Sequence, residues 1–448
     1  MNINRHLCPK CNKLIVVTSK STLTVHGPRH SRCSGSGSNI LKSNADASLF
    51  TNNTSTPVGK IGKVAIPTRI KRGKVRHLSI SLADTIEAVC KNQSSTDKWE
   101  NLLSWAASHL ATPMLSNTSP SGPRNNTLSK WTLSKALPKK VEAGDLRGAI
   151  RLVEDGGPIL NATEDLANAM RQKHPARLTT DLTANEQQTA APIVASREDV
   201  LLAIKSFSWA SAGGPDGLRP SHLKQLTGKE ALDGAELLLS SLLNFTNLCL
   251  AGHVPRLIQP KFFGCRLLAF QKPDGGSRPI AIGNTLRRLI AKIACKSVCA
   301  SAVEALAQIQ LGVGVRGGAE VAVHAARSFL STMSTSEGLA KLDFSNAFNC
   351  VSQDAVLKSV AELVPSLLPF VICSYSQPAI LQFGDWTLNS CEGVQQGDPL
   401  GPMVFSLAIK HISHRCASSL RVWYLDDCSL AGKACQVAED VKRIALLS

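Results

Sequence analysis

Three aspartates are the residues of this sequence best suited to catalysis. Asp343 follows the apolar run 339–342, and Asp426 and Asp427 lie between two short apolar stretches at 422–424 and 428–430. Adjacent acids at a hairpin tip repel each other unless a cation compensates them. Carboxylates that converge from different strands can hold two divalent ions about 3.5–4 Å apart, an arrangement that serves nucleotidyl transfer to a 3′-hydroxyl. Mg²⁺ prefers such oxygen ligands. Taken alone, the doublet has an ordinary polar turn as its alternative.

The segments around these acids predict an α+β fold with a mixed or antiparallel sheet. From about residue 196 onward, short apolar strands alternate with helices. We expect strands at 263–270 and 339–343, a hairpin at 422–430, and a helix that opens at Asp398-Pro399. A Pro-Asp-Gly-Gly turn at 273–276 follows the first strand.

Six motifs, in order along the chain, resemble those of reverse transcriptases of non-LTR retrotransposons. The nearest resemblance is to the site-specific group that inserts into ribosomal RNA genes. The motifs are GGPDGL at 213–218, KPDGGSRPI at 272–280, LGVGV and GGAE within 311–320, DFSNAFN at 343–349, EGVQQGDPL at 392–400 and YLDD at 424–427. The ordered matches cover about residues 207–430. The resemblance implies a right-hand polymerase with fingers and palm, two Mg²⁺ ions, an RNA template, a DNA primer or target, dNTPs and a nuclear location.

The resemblance also assigns roles to individual residues. It implies metal binding by Asp343, Asp426, Asp427 and the Phe344 carbonyl, a steric gate against the ribose 2′-hydroxyl at Phe348, nucleotide contact at Gln396, triphosphate contact at Lys272 and Arg278, and primer-end packing at Tyr424. Arg makes bidentate phosphate contacts and Lys a point-charge contact, so the last pair fits its role chemically. The alternatives are a core aromatic for Phe348, a solvated turn for Lys272 and Arg278, and a plain strand residue for Tyr424.

Two features depart from the family pattern. Leu425 stands where the family often has Ala, which we expect to be tolerated. The sequence stops at Ser448, whereas the family continues with the rest of the palm, a thumb and, in the site-specific group, a nuclease domain. We therefore expect a truncated polymerase without a thumb. The alternatives are a fragment that only binds nucleic acid and a related RNA-templated RNA polymerase.

A small Cys/His-rich unit opens the sequence. Cys8, Cys11, His26 and His30 have a spacing close to that of a zinc finger, and Cys33 could replace His30 as the fourth ligand. Elements of the family that the chain resembles often begin with such a finger. A bound Zn²⁺ would let this unit grip DNA or RNA. Free thiols in a basic tail are the alternative.

Charge and composition divide the chain into four parts. Net charge is +17, and residues 1–80 hold fourteen Lys and Arg but a single acid. Such a basic arm favours contact with nucleic acid. The alternative is a solvated, disordered tail with a targeting role. We predict a zinc finger at 1–35, a flexible basic linker at 36–80, a helical N-terminal extension at 81–195, and fingers and palm at 196–448.

Other sequence patterns indicate the cellular compartment of the protein. The first residues are polar and basic, which is atypical of a signal peptide. Six cysteines lie in apolar stretches, which favours core thiols in a reducing intracellular compartment: Cys249, Cys265, Cys295, Cys299, Cys373 and Cys416. The sequence predicts no membrane span, and it leaves the oligomeric state open. A basic cluster at helical spacing predicts one solvated or template-facing helix face: Arg287, Arg288, Lys292 and Lys296.

Overall fold

The computed structural model of the chain describes two units, residues 1–63 and 64–448. In the second unit it describes residues 66–112, 159–176, 190–272, 274–306 and 309–447. In the first it describes strand β1 (Arg5–Leu7), which pairs antiparallel with β2 (Leu14–Val16). The predicted zinc ligands Cys8, Cys11, His26 and His30, and the alternative Cys33, lie outside the described residues. The zinc site therefore stays a prediction.

The described part of the second unit is helical up to Phe262 and mixes helices with strands from Cys265 onward. Its helices are α1 (Val75–Lys91), α2 (Thr96–Leu110), α3 (Glu164–Gln172), α4 (Arg197–Ser206), α5 (Pro220–Leu226), α6 (Asp233–Leu250), α7 (Gln259–Phe262), α8 (Thr285–Leu306), α9 (Gly318–Thr332), α10 (Ala347–Cys350), α11 (Gln353–Leu363), α12 (Leu368–Tyr375), α13 (Gly401–Ala408), α14 (Lys410–Ser413) and α15 (Ala434–Leu447). Short 3₁₀ turns lie at Arg72–Lys74, Lys229–Ala231 and Pro365–Leu367. Its strands are β3 (Cys265–Gln271), β4 (Ser277–Gly283), β5 (Glu337–Leu342), β6 (Ala379–Phe383), β7 (Trp386–Ser390), β8 (Leu420–Tyr424) and β9 (Asp427–Lys433).

Helix α1 begins inside the stretch that composition predicted to be a flexible linker. Its apolar side chains recur at three- or four-residue spacing from Val75 to Val89, and this face packs against α6. The buried hydroxyl of Ser79 donates to the carbonyl oxygens of Leu226 and Gly234. The structure therefore differs from the predicted linker at its C-terminal end, because the apolar face that begins at Val75 is buried against α6.

Two sheets of the second unit carry the strands that matter for function. The first has the order β4-β3-β6-β7, with β3 and β6 parallel and the other neighbours antiparallel. The second has the order β5-β9-β8 and is antiparallel throughout. Helices and a mixed sheet together agree with the α+β prediction.

Helices supply most of the largest core. Trp99 of α2 is fully buried and packs against the rings of Phe245 and Phe262, with centroids 5.3 and 5.4 Å away. A separate core lies under the second sheet, where Trp423 and Cys428 are buried with Val437 of α15. Of the cysteines predicted to be core residues, four are buried and two half-buried, and all six are free thiols. None of the described helices combines the length and the apolar character that crossing a bilayer requires.

Candidate active site

Two strand pairings bring the predicted acids to one end of the second sheet. Strand β5 pairs with β9 so that Leu342 faces Cys428, and β8 pairs with β9 so that Tyr424 faces Asp427. Asp343 is the residue after Leu342, and Asp427 is the residue before Cys428. Their backbones therefore lie side by side at roughly the 5 Å spacing of neighbouring strands.

The fold raises the pKa of Asp426 above that of an ordinary Asp side chain. Burial is the largest cause and raises the pKa of Asp426, and the negative charges of Asp427 and Asp343 raise it further. A backbone hydrogen bond and the charge of Arg278 act in the opposite direction. The fold thus places three carboxylates within electrostatic range of one another, with a single nearby guanidinium to offset them at Asp426.

The three carboxylates do not form a complete metal-binding site in the structure. Asp427 Oδ1 lies 3.5 Å from Lys341 Nζ, and both side chains are more than half exposed. Within the described part of the chain, no three His, Cys, Asp or Glu side chains lie close enough together to hold a metal ion. The oxygen donors and their mutual repulsion suit a divalent cation.

The chain turns sharply after Asp343 and brings two aromatic rings onto the core. Asn346 adopts a left-handed conformation with φ 56°, which Asn tolerates better than most residues. Phe344 stacks on Trp423 with ring centroids 5.9 Å apart, and Phe348 stacks on Phe405 at 4.5 Å. Both rings are half-buried. Phe348 therefore packs as the core-aromatic alternative requires, although the residue is half-buried and not fully enclosed.

The hairpin of β3 and β4 carries the predicted triphosphate contacts. Its turn is closed by the Lys272 N–H, which donates to the Gly276 carbonyl at 2.8 Å. Arg278 faces Phe270 across the hairpin and is exposed. Because the charge of Arg278 lowers the pKa of Asp426, the guanidinium lies within electrostatic reach of the acids.

The Gln-Gly loop is held against β4 through its backbone. The Gln396 carbonyl accepts a hydrogen bond from the Ala281 N–H at 2.7 Å. Gly397 has φ 117°, and a Cβ there would lie 2.4 Å from the Ala281 oxygen, so only glycine fits. The half-buried side chain of Gln396 is thereby carried next to the β3–β4 hairpin. Tyr424, at the end of β8, is 38% exposed.

The prediction of a solvated or template-facing basic helix face is wrong for Arg287. Arg287 is buried, and its guanidinium donates to Gln395 Oε1, to the Phe263 carbonyl at 2.6 Å, and to Asp398 Oδ2. Burial is the largest single influence and lowers the pKa of Arg287, but the charge and hydrogen bond of Asp398, together with Cys265 and Tyr375, raise it on balance. The side chain therefore ties the Gln-Gly loop to β3.

A signal for this burial exists in the sequence, although the spacing of charges hid it. Arg287 is followed at three, four and seven residues by Ile290, Ala291 and Ala294, so it belongs to an apolar helix face. The helix predicted to open at Asp398-Pro399 is present as α13, but it begins slightly later, at Gly401. Asp398 instead accepts the Leu400 N–H at 3.0 Å and the guanidinium of Arg287.

The part of the chain that holds these residues is similar to known proteins. Residues 270–445 match the family described as reverse transcriptase (RNA-dependent DNA polymerase). A stretch of 176 residues is 30% identical to the retrotransposable element SLACS 132 kDa protein of Trypanosoma brucei gambiense. That match covers 37% of this chain and only 14% of the relative. The chain is thus similar to reverse transcriptases over the segment that contains every predicted polymerase-site residue from Lys272 to Asp427.

Proposed function

We propose that this protein is an RNA-directed DNA polymerase of a non-LTR retrotransposon, which extends a DNA primer 3′-hydroxyl along an RNA template with dNTPs. The observation that carries the proposal is the β5–β9 register, which sets Asp343 beside Asp427 within the segment similar to reverse transcriptases. The mutual repulsion of the acids supports a cation-binding role, because a structural turn gains nothing from clustered negative charge.

Asp343, Asp426, Asp427 and the Phe344 carbonyl would hold two Mg²⁺ ions. When bound, such ions activate the 3′-hydroxyl and neutralise the leaving pyrophosphate. The ammonium of Lys341, 3.5 Å from Asp427 in the structure, offsets part of the acidic charge until that carboxylate is engaged.

The other polymerase-site residues would bind and select the nucleotide. Arg278 and Lys272 grip the triphosphate from the β3–β4 hairpin. Phe348 excludes a ribose 2′-hydroxyl with its ring, which stacking on Phe405 holds in place. Gln396 lines the nucleotide pocket from the Gln-Gly loop, and Tyr424 supports the primer end.

The N-terminal part would deliver this polymerase to its substrates. We propose that Cys8, Cys11, His26 and His30 (or Cys33) bind Zn²⁺ and that this unit and the basic arm after it hold DNA or RNA. Priming at a nicked chromosomal target, and hence a nuclear location, belong to the same proposal. Target priming and the nuclear location are what the resemblance to non-LTR retrotransposons implies.

Primer extension on poly(rA)/oligo(dT) with dTTP and Mg²⁺ tests the proposal, using the 448-residue chain. Asp426→Asn is expected to lower incorporation by roughly a hundredfold or more, because a metal-ligand interaction is worth several kcal/mol in the transition state. The matched control is Asp385→Asn, which changes an exposed acid at the β6–β7 turn. That variant should retain wild-type incorporation.

Equal incorporation by wild type and Asp426→Asn would contradict the proposal. Nucleic-acid binding with a steep salt dependence and no incorporation by the wild-type chain would instead support a protein that only binds nucleic acid. A preference for NTPs over dNTPs would indicate an RNA polymerase.

A further inference from the structure

The tip of the β8–β9 hairpin has a backbone conformation that needs support. Leu425, which lies between Tyr424 and the acidic doublet, has φ 57°. A side chain with a Cβ disfavours this left-handed region. Strained residues of this kind persist only where their surroundings hold them.

One buried side chain satisfies both backbone polar groups of that residue. The Leu425 N–H donates to Gln310 Oε1 at 2.7 Å, and Gln310 Nε2 donates to the Leu425 carbonyl at 3.1 Å. The Gly312 N–H also donates to Gln310 Oε1, at 3.0 Å. Two N–H groups that point at the same amide atom require it to be oxygen, which fixes the orientation of the side chain. Gln310 itself is 4% exposed.

The segment that carries Gln310 is fixed to the hairpin by its own backbone. The Leu311 N–H donates to the Trp423 carbonyl at 2.7 Å, and the Trp423 N–H donates to the Ile309 carbonyl at 2.8 Å. At Gly312 the hairpin comes so close that an added Cβ would lie 2.8 Å from the Leu425 nitrogen and side chain. The backbone of residues 309–312 is therefore hydrogen-bonded to and packed directly against the tip of the hairpin.

We propose that Gln310 is a positioning residue that holds the Leu425 peptide groups and thereby aims Asp426 and Asp427 at Asp343. Its effect is indirect, since it contacts the backbone of Leu425 and not the acids. The inference rests on the proposed polymerase function for its consequence in catalysis. The clamp itself can be tested without catalysis.

The first test is hydrogen exchange in the full chain. Gln310→Leu keeps a buried side chain of similar size but removes all three hydrogen bonds. Amides in a peptide that covers residues 422–428 should exchange at least tenfold faster than in the wild type. The matched control is Gln259→Leu, which removes a buried glutamine that bonds to the Val254 carbonyl and to Ser376. That control should leave exchange at 422–428 unchanged.

The second test is steady-state primer extension with the same variants. Gln310→Leu should lower kcat by roughly a hundredfold, as misplacement of reacting groups by about 1 Å does. It should also raise the Mg²⁺ concentration for half-maximal activity several-fold and leave the KM for dTTP within about threefold. A purely structural loss, as in Gln259→Leu, would lower thermal stability without that shift in Mg²⁺ dependence.

Gln310→Met has a side chain of similar length but no amide to bond Leu425 or Gly312, and it replaces Gln310→Leu if the latter fails to fold. Unchanged exchange at 422–428 in a folded variant would overturn the clamp. Faster exchange with unaltered kcat and Mg²⁺ dependence would overturn the positioning role. A wild-type chain without incorporation would count against the proposed function, while the exchange result would still decide the clamp.

Discussion

Removal of the Arg287 side chain should destabilise the second unit far more than removal of any exposed cation on the same helix. In Arg287→Met, the Asp398 carboxylate, whose side chain is 9% exposed, loses its counter-ion, and the Phe263 carbonyl loses a donor. Breaking a buried pair on one side costs about 3–5 kcal/mol, because an uncompensated buried charge remains. Lys296→Met is the matched control on α8. Its ion pair with Asp199 is exposed, so its loss should cost less than about 1 kcal/mol.

A double-mutant cycle separates the charge pair from the packing. Arg287→Met combined with Asp398→Asn leaves no buried charge, so it should recover about 2 kcal/mol or more of the loss in the single variant. The measurement is urea unfolding followed by tryptophan fluorescence, with the thermal midpoint as a second probe. Because Arg287 also binds Gln395, the single variant should raise the KM for dNTP. A loss below about 1 kcal/mol in Arg287→Met, or no recovery in the double variant, would refute the reasoning.

Three further outcomes follow from the structure. Burial raises the pKa of Asp216 to about 7; since this acid ionises near pH 4 when unfolded, folding stability should fall as pH rises from 4 through 7. Asp216→Asn should lack that loss of stability, so its thermal midpoint should rise relative to that of the wild type between pH 5 and 8. Thermal midpoints with the same pH dependence in both proteins would contradict the raised pKa of Asp216. Mg²⁺ at ten times its dissociation constant should stabilise the wild type by about 1.4 kcal/mol, and Asp426→Asn should show a clearly smaller shift in calorimetry. Phe348→Ala should raise the ratio of rNTP to dNTP incorporation by roughly tenfold or more. It should also lower the thermal midpoint, because stacking on Phe405 contributes about 0.5–1.5 kcal/mol. An unchanged incorporation ratio would show that Phe348 serves only as a core residue.

Local signals in the sequence predicted the parts of the site that local chemistry determines. The Pro-Asp-Gly-Gly run predicted the turn that carries Lys272 and Arg278, and the apolar runs before Asp343 and around the doublet predicted the strands. The resemblance implied that the three acids share one metal site, and the register of β5 on β9 supplies the geometry that sets Asp343 beside Asp427.

Long-range partners were beyond the reach of the sequence pattern. Arg287 was grouped with three neighbouring cations because charge spacing alone does not show that Asp398 and Gln395 converge on it from another part of the chain. Gln310 has no local signature, since its role depends on the backbone of Leu425, which is distant in sequence. The start of α1 was placed too late because the many basic residues masked an apolar repeat that begins at Val75.

The order of strands in the second sheet has a consequence for synthesis on the ribosome. Strand β9 is the middle strand, yet it is the last of the three to be made. Until it emerges, β5 and β8 each expose unpaired N–H and C=O groups, the condition that favours wrong pairing with other chains. A nascent chain that halts before Lys433 therefore holds two open strand edges, and chaperone binding or aggregation should be greatest over that interval.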